Sequence, residues 1–426
     1  MIKNIANTFF VRVIHAIISF LVAIVISRYL GAEIKGQQGL ILTTISLLHI
    51  IMCLVGSGAI VYLVPRMDYS KLCVASYIWL ICMSVLFYIF SPLITVLPQG
   101  TALHITLLTV LLSLSNFHIS VLVATEKIII ANSIVLIQIA IQIGVLCFAI
   151  FGMNVFSIQS YLYSLYAAYI ISYVLALRIS HKHISFCFTK LTFSGIIEGG
   201  KKLLRYGFFN QLDVFAQVLS FRFSYYILAL YADEKVVGVY SIAVSIAESI
   251  WLISRSISMV HYARVANTEN FEKNSTLTLL FIKTSTILTF AALGVVLLFP
   301  ADVYVYIFGA EFFAVKTIVW YIAPGVLFFS ASFMISSLFS GIGKQHINSI
   351  ASIVGLIVTI VGAYILIPKY GYIGAAITAS FSYCATTIVK IIYFQNKTHF
   401  SLRSYFPSKQ DFQTFKQIVS QKKGSM

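Results

Sequence analysis

Six charged side chains stand inside long apolar runs of this chain: Arg12, Asp213, Arg222, Glu248, Arg255 and Lys283. Four histidines, His15, His49, His104 and His118, share such surroundings. An ionisable group within an apolar helix is costly, so each is read first as a functional residue. Spacing sorts them into faces. Thr8, Arg12, His15 and Ser19 follow at intervals of four, three and four, which is one side of a helix. Ser241, Ser245, Glu248 and Arg255 form a second stripe, and Asn210, Asp213, Gln217 and Ser224 a third. Ser46, His49 and Cys53 make a softer fourth. Turned toward one another, these faces would line a wet chamber with more basic than acidic groups. Guanidinium binds phosphoryl oxygens in pairs, so the chemistry on offer is recognition of an anionic headgroup. Asp213 and Glu248 would hold an arginine in place or bind a coupling proton or sodium ion.

Each residue also has a plainer reading. Arg12, Arg255 and Lys283 lie close enough to a helix end for a long side chain to reach the interface. Arg222 is half a turn from Asp213, a position from which it would face lipid headgroups. Asp213 lies at nearly the depth of Arg12, and a pair between them is expected. The histidines are expected to pack or hydrogen-bond, His15 beside Arg12 excepted. The run Tyr161, Tyr163, Tyr166, Tyr169 and Tyr173 fits sugar stacking and interfacial packing equally well. No cofactor signature is present: the GxG at Gly341 and Gly343 follows an apolar helix, not a strand. The six cysteines have no paired spacing and are expected as reduced thiols, not disulfides or a metal site.

The elements that must position these residues follow from composition. Sixty per cent of the 426 residues are apolar and only ten per cent are charged, which cannot furnish a water-facing exterior. The apolar runs have the length of a bilayer-spanning helix. Twelve are expected, at 5–30, 38–64, 72–97, 102–124, 129–151, 158–178, 203–230, 237–262, 276–299, 316–342, 347–367 and 373–394. The fold class is an all-α polytopic membrane protein. The first run is too long for a signal peptide and should be retained.

With the first residues inside, the inner segments hold 20 lysines and arginines. The outer ones hold five: Arg28, Lys35, Lys235, Lys316 and Lys369. Both termini are therefore expected in the cytoplasm. This placement accounts for 29 basic against 13 acidic residues without nucleic acid. Residues 1–178 read as one six-helix bundle, 179–202 as a cytoplasmic linker, 203–394 as a second bundle and 395–426 as a basic tail. "SRYLGAEIKGQQGL" from Ser27 and "LALYADEKVVGVYS" from Leu228 each leave one helix, pass a charged turn and enter the next through a glycine, Gly36 or Gly238. Two repeated bundles of one orientation around a central cavity are a transporter architecture. The short loops leave no room for an extramembrane enzyme domain.

These stretches, with "GSGAIVYLVPR" and "GIGKQHINSIASIVGLIVTIVGAYILIPKYGYIGAAIT", resemble the bacterial polysaccharide flippases, the Wzx-type O-antigen and capsule transporters. Those belong to the multidrug/oligosaccharidyl-lipid/polysaccharide (MOP) exporter superfamily, with a MATE-like fold. The resemblance covers nearly the whole chain. It implies transfer of an undecaprenyl-pyrophosphate-linked oligosaccharide from the inner to the outer leaflet of a bacterial inner membrane. It implies no cofactor, coupling to protons or sodium, and a polysaccharide polymerase and chain-length regulator as partners. It also implies a cationic cavity on the first, second, seventh and eighth helices, which Arg12, Arg222 and Arg255 fit; helix two offers His49 where an arginine would stand. In "LIPKYGYIGAAIT", Pro368 is expected to stop a helix, Gly371 to reverse the chain, and Gly374 to Ala376 to allow close packing. Three alternatives remain. A cation-coupled multidrug exporter should have a more acidic cavity, a polymerase or ligase needs a substantial outer loop, and a lipid II flippase resembles fourteen spans.

Overall fold

The computed structural model describes residues 2–184, 191–268, 270–398 and 400, and among these it is helical with no strand. Cys187 and the tail from residue 401 lie outside the described residues. The first helix, α1 (Ile2–Met52), is folded at Gly31, whose φ of 87° is open to glycine and costly to other residues. Val22 and Ile26 of its first arm share a buried cluster with Ile41 and Ile45 of its second. A 3-10 turn at Cys53–Val55 and the short α2 (Ser57–Leu63) complete that second span. Next come α3 (Tyr69–Phe90), α4 (Ala102–Ala124), α5 (Ile128–Cys147) and α6 (Ile158–His183).

Among its described residues, the expected linker is helical over 179–183 and 193–202. Helix α6 runs on to His183, and α7 (Phe193–Tyr231) starts early. The Thr192 hydroxyl caps α7 at the Gly195 N–H, and a Glu198–Lys202 pair at 2.7 Å supports its polar first turns. Then follow α8 (Glu234–Ser249) and α9 (Trp251–Ala266), one span bent by 40°, and α10 (Phe271–Leu298), α11 (Ala301–Phe308) and α12 (Val315–Gly341).

The last helix, α13 (Gln345–Thr398), reverses at Gly371, φ 56°. Its arms run antiparallel, with Gly374 on the Leu366 backbone, Gly362 beside Thr378 and Gly355 beside Thr386. Pro368 does not stop the helix. One backbone bond lost near the end of an arm is tolerated, and only Gly371 has the freedom to turn the chain. Nine of the described helices are long and apolar enough to cross a membrane, and the bent pair makes a tenth span. Among the described residues α1, with 51 residues, and α13, with 54, each fold back at a glycine and are long enough for two crossings apiece. This is a multi-pass membrane protein.

The two halves meet at both ends of the bundle. At the Gly31 end, a Cβ on Gly36 would collide with the carbonyl of Glu234, and one on Gly238 with the carbonyl of Ala32. Glu311, between α11 and α12, accepts the Ala32 N–H at 2.7 Å and pairs with Lys235 at 2.7 Å. Gln37 donates to Glu234 at 2.6 Å. At the other end, Gly207 of α7 lies under the Leu54 carbonyl, and Gln211 donates to the Cys53 carbonyl at 3.3 Å. The largest core cluster holds Trp251, Phe329 and Tyr383 of the second half and reaches Ala23 and Leu40 of the first.

Candidate functional site: a cationic cavity between the halves

A cavity of about 370 Å³ lies between the second arm of α1, α7 and α8. Lys35, Gln38, Ser46, Arg222, Glu248 and Arg255 face it. A second space of about 550 Å³, between the first arm of α1 and the α8–α9 span, shares Arg222, Ser245, Glu248 and Arg255 with the first. The two are one chamber pinched by those side chains. A third, of about 390 Å³, adds Arg12 and His15 and is again bounded by Arg255.

The bend at Ile250 sets the geometry. Trp251 is fully buried there, donates to the Val326 carbonyl at 2.9 Å, and packs against Phe221, Phe329, Phe333 and Tyr383. Glu248 and Arg255 stand on either side of it. Arg222 reaches Glu248 with both guanidinium nitrogens, at 2.7 and 3.1 Å, and the Tyr383 hydroxyl donates to the same carboxylate at 2.8 Å. The charge of Glu248 is thereby committed. Arg255 instead stands 5.4 Å from the Phe333 ring centroid, and among the described residues no carboxylate pairs with it. Lys35 is 5% exposed and donates to Gln38 at 2.6 Å, again with no carboxylate partner among the described residues. Three cations thus face one carboxylate.

Of the residues singled out in the sequence, the structure brings Arg222, Glu248 and Arg255 into this chamber, with Arg12 and His15 alongside. Arg222 does not face lipid. Its position opposite Asp213 is the cavity side of α7, because the Asp213 face packs on α13. There Ser220 bonds Thr359 at 2.9 Å and Ser382 at 2.8 Å. Asp213 consequently does not meet Arg12. It accepts from Gln345 at 3.2 Å, in a second-half polar network that includes Lys390, which donates to Ser332 and Ser336 at 2.9 and 2.7 Å. His49 turns into the first half, toward Ser113 at 2.8 Å and Asn116 at 3.1 Å. His104 meets Tyr166 at 3.0 Å, and His118 meets Tyr77 and Ser180 at 2.7 and 2.8 Å. Lys283 lines none of these three spaces. The Asn210 side chain lies outside the described atoms.

Sequence reasoning missed Lys35, counting it among the charges of the outer turn. The signal was there: Lys35, Gln38, Leu42 and Ser46 follow at intervals of three, four and four, and all four line the cavity.

No protein-family model matches this sequence, and no curated protein matches it. Solved structures do match. The chain is similar to the inward-facing conformation of a multidrug resistance MATE family transporter of the MOP superfamily. The TM-score is 0.74 at 18% identity, over 90% of this chain and 94% of that one. The fold is MATE-like. A second MATE-like neighbour is the lipid II flippase MurJ in an inward closed conformation, TM-score 0.76 at 16% identity, covering 95% of this chain and 89% of that one. The outward-facing structure of a multidrug resistance MATE transporter superposes less well, at 0.65 with 18% identity over 93% and 96% of the two chains.

Proposed function

We propose that this protein carries the anionic headgroup of a lipid-linked oligosaccharide across a membrane by alternating access between its two halves. The substrate class is an undecaprenyl-pyrophosphate-linked O-antigen or capsule repeat unit, moved from the cytoplasmic to the outer leaflet of a bacterial inner membrane. The termini lie in the cytoplasm and the Gly31 end faces outward. Proton or sodium coupling is assigned to Asp213, and the salt bridge with Arg222 to Glu248. A polysaccharide polymerase and a chain-length regulator would act on the product.

The excess of cations in the chamber carries this reading. A cation buried without a counter-ion costs several kcal/mol, roughly, and is retained where an anion will meet it. Lys35 is such a group; Arg255 stands exposed to the chamber with no carboxylate pair among the described residues, while Arg222 is already neutralised. The polyprenyl tail can stay in hydrocarbon while the polar head passes between the halves. The alternative, a cation-coupled multidrug exporter, shares the fold, but a lipophilic cation would enter a chamber whose one carboxylate is already paired. Polarity of the pocket separates functions on this fold: another neighbour, a MOP superfamily transporter from Pyrococcus furiosus, is described as having a pocket of reverse polarity that suggests a different function.

The test is to extract lipid-linked oligosaccharides from cells lacking the gene and establish the leaflet they occupy. Accumulation on the cytoplasmic leaflet, reversed by wild type and not by Arg255→Ala, is expected. Unchanged lipid-linked sugars with altered dye retention would establish the drug exporter instead.

A further inference from the structure

We infer that Lys35, oriented by Gln38, is a second anion subsite at the Gly31 end of the chamber, which takes the phosphoryl group of the substrate after Arg255. This rests on the flippase reading and assigns it a direction.

Three observations carry it. Lys35 is 5% exposed, faces the cavity, and has the Gln38 carbonyl oxygen at 2.6 Å. A neutral amide acceptor does not offset the desolvation of an ammonium, and removal of a buried charge of that kind is often neutral or stabilising. A buried cation with no carboxylate partner among the described residues, facing a cavity, is offset there by an anionic ligand. The second observation is the order of charges. Arg255 lies beyond the α8–α9 bend, where it also bounds the space that Arg12 and His15 line, and Lys35 lies beside the Gly31 turn. Between them Arg222 and Glu248 cancel. An anion in this chamber has two uncommitted cations, one at each end, and a neutral pair between them. The third is the chemistry of the two ends. Guanidinium grips a phosphoryl group with a planar pair of donors, whereas ammonium is a point charge with no fixed fork. Capture by Arg255 is therefore more directional than holding by Lys35, as suits a site from which the head must leave. A carboxylate on an acidic sugar has the same affinity for an ammonium, so the shared chemistry is an oxyanion.

The probe is farnesyl pyrophosphate, titrated into purified full-length protein in nanodiscs, with wild type, Lys35→Met, Lys35→Arg and Arg255→Met compared. Lys35→Met should weaken binding roughly tenfold to hundredfold, the worth of one charge-assisted contact. Lys35→Arg should restore most of it. Without ligand, the thermal midpoint of Lys35→Met should equal or exceed that of wild type. Inorganic pyrophosphate or glucuronate should compete, and which of them does identifies the linkage phosphate or an acidic sugar as the group held. Unchanged binding in Lys35→Met, with loss in Arg255→Met, would overturn the subsite and leave the flippase reading standing. A fall in the ligand-free midpoint, or competition by neither anion, would overturn it too. Wild type that ignores farnesyl pyrophosphate but binds tetraphenylphosphonium would remove both readings.

Discussion

The guanidinium of Arg222 holds the carboxylate of Glu248 through two nitrogens, at 2.7 and 3.1 Å, across the seam between α7 and α8. Tyr383 ties the same carboxylate to α13. Glu248→Gln should lower the thermal midpoint in detergent by leaving Arg222 uncompensated, and Arg222→Met should strand the carboxylate. The double variant should recover part of the loss, with a coupling energy of about 1–3 kcal/mol in a double-mutant cycle. Additive single losses would mean the pair does not act as a unit.

Gly36 and Gly238 leave no room for a Cβ where the halves touch. Gly36→Ala or Gly238→Ala should destabilise the closed Gly31 end by about 1–3 kcal/mol, the usual penalty for overpacking. Spin labels on the two turns, measured by electron–electron double resonance, should report a longer mean separation. An unchanged distance distribution would show that the glycines do not set closure.

The Glu311 latch should respond to acid. The Lys235 ammonium, with the Ala32 N–H, holds the Glu311 carboxyl below its ordinary value of 4.5 when the latch is closed. A lowered acid favours closure fully above its ordinary value, and that contribution is lost as pH falls through the lowered one. The Gly31 end should therefore open only below about pH 4.5. Glu311→Gln should flatten this dependence in the same spin-label measurement.

Asp213 belongs to the second half alone. Lys390→Met should lower stability by removing the ammonium that Asp213 feels, and Asp213→Asn on that background should restore part of it. Fluorescence-detected thermal unfolding gives the comparison. Rescue of Asp213→Asn by an Arg12 substitution would instead place the aspartate in the chamber.

The helices were legible because apolar runs of membrane length leave little choice, and the charged turn before Gly36 and the reversal at Gly371 were legible too. Less of the chamber could be read. Which side of α7 faces it depends on the Ser220, Thr359 and Ser382 contacts, made across 139 and 162 residues of chain. No helical-wheel argument contains them, so spacing alone leaves Arg222 open between the cavity, where the family resemblance puts it, and the lipid headgroups. The bend at Ile250 has neither proline nor glycine to announce it, because its anchor is the tertiary pocket of Trp251. Lys35 was misplaced for another reason. Counting charge by loop assumes that residues beside a turn meet water, and here the opposite half covers the turn.

The Gly36–Gly238 contact has the geometry of an isologous dimer interface. Residues 32 and 234 are separated by the same 202 positions as the two glycines, and each glycine touches the counterpart of what the other touches. One half therefore carries both surfaces of the contact. A unit carrying this turn would have both contact surfaces needed to pair with a copy of itself about a two-fold axis. Joined in one chain, the two sides of the contact are each free to differ. The chamber is the record of that freedom, with Lys35 supplied by one half and Arg222, Glu248 and Arg255 by the other.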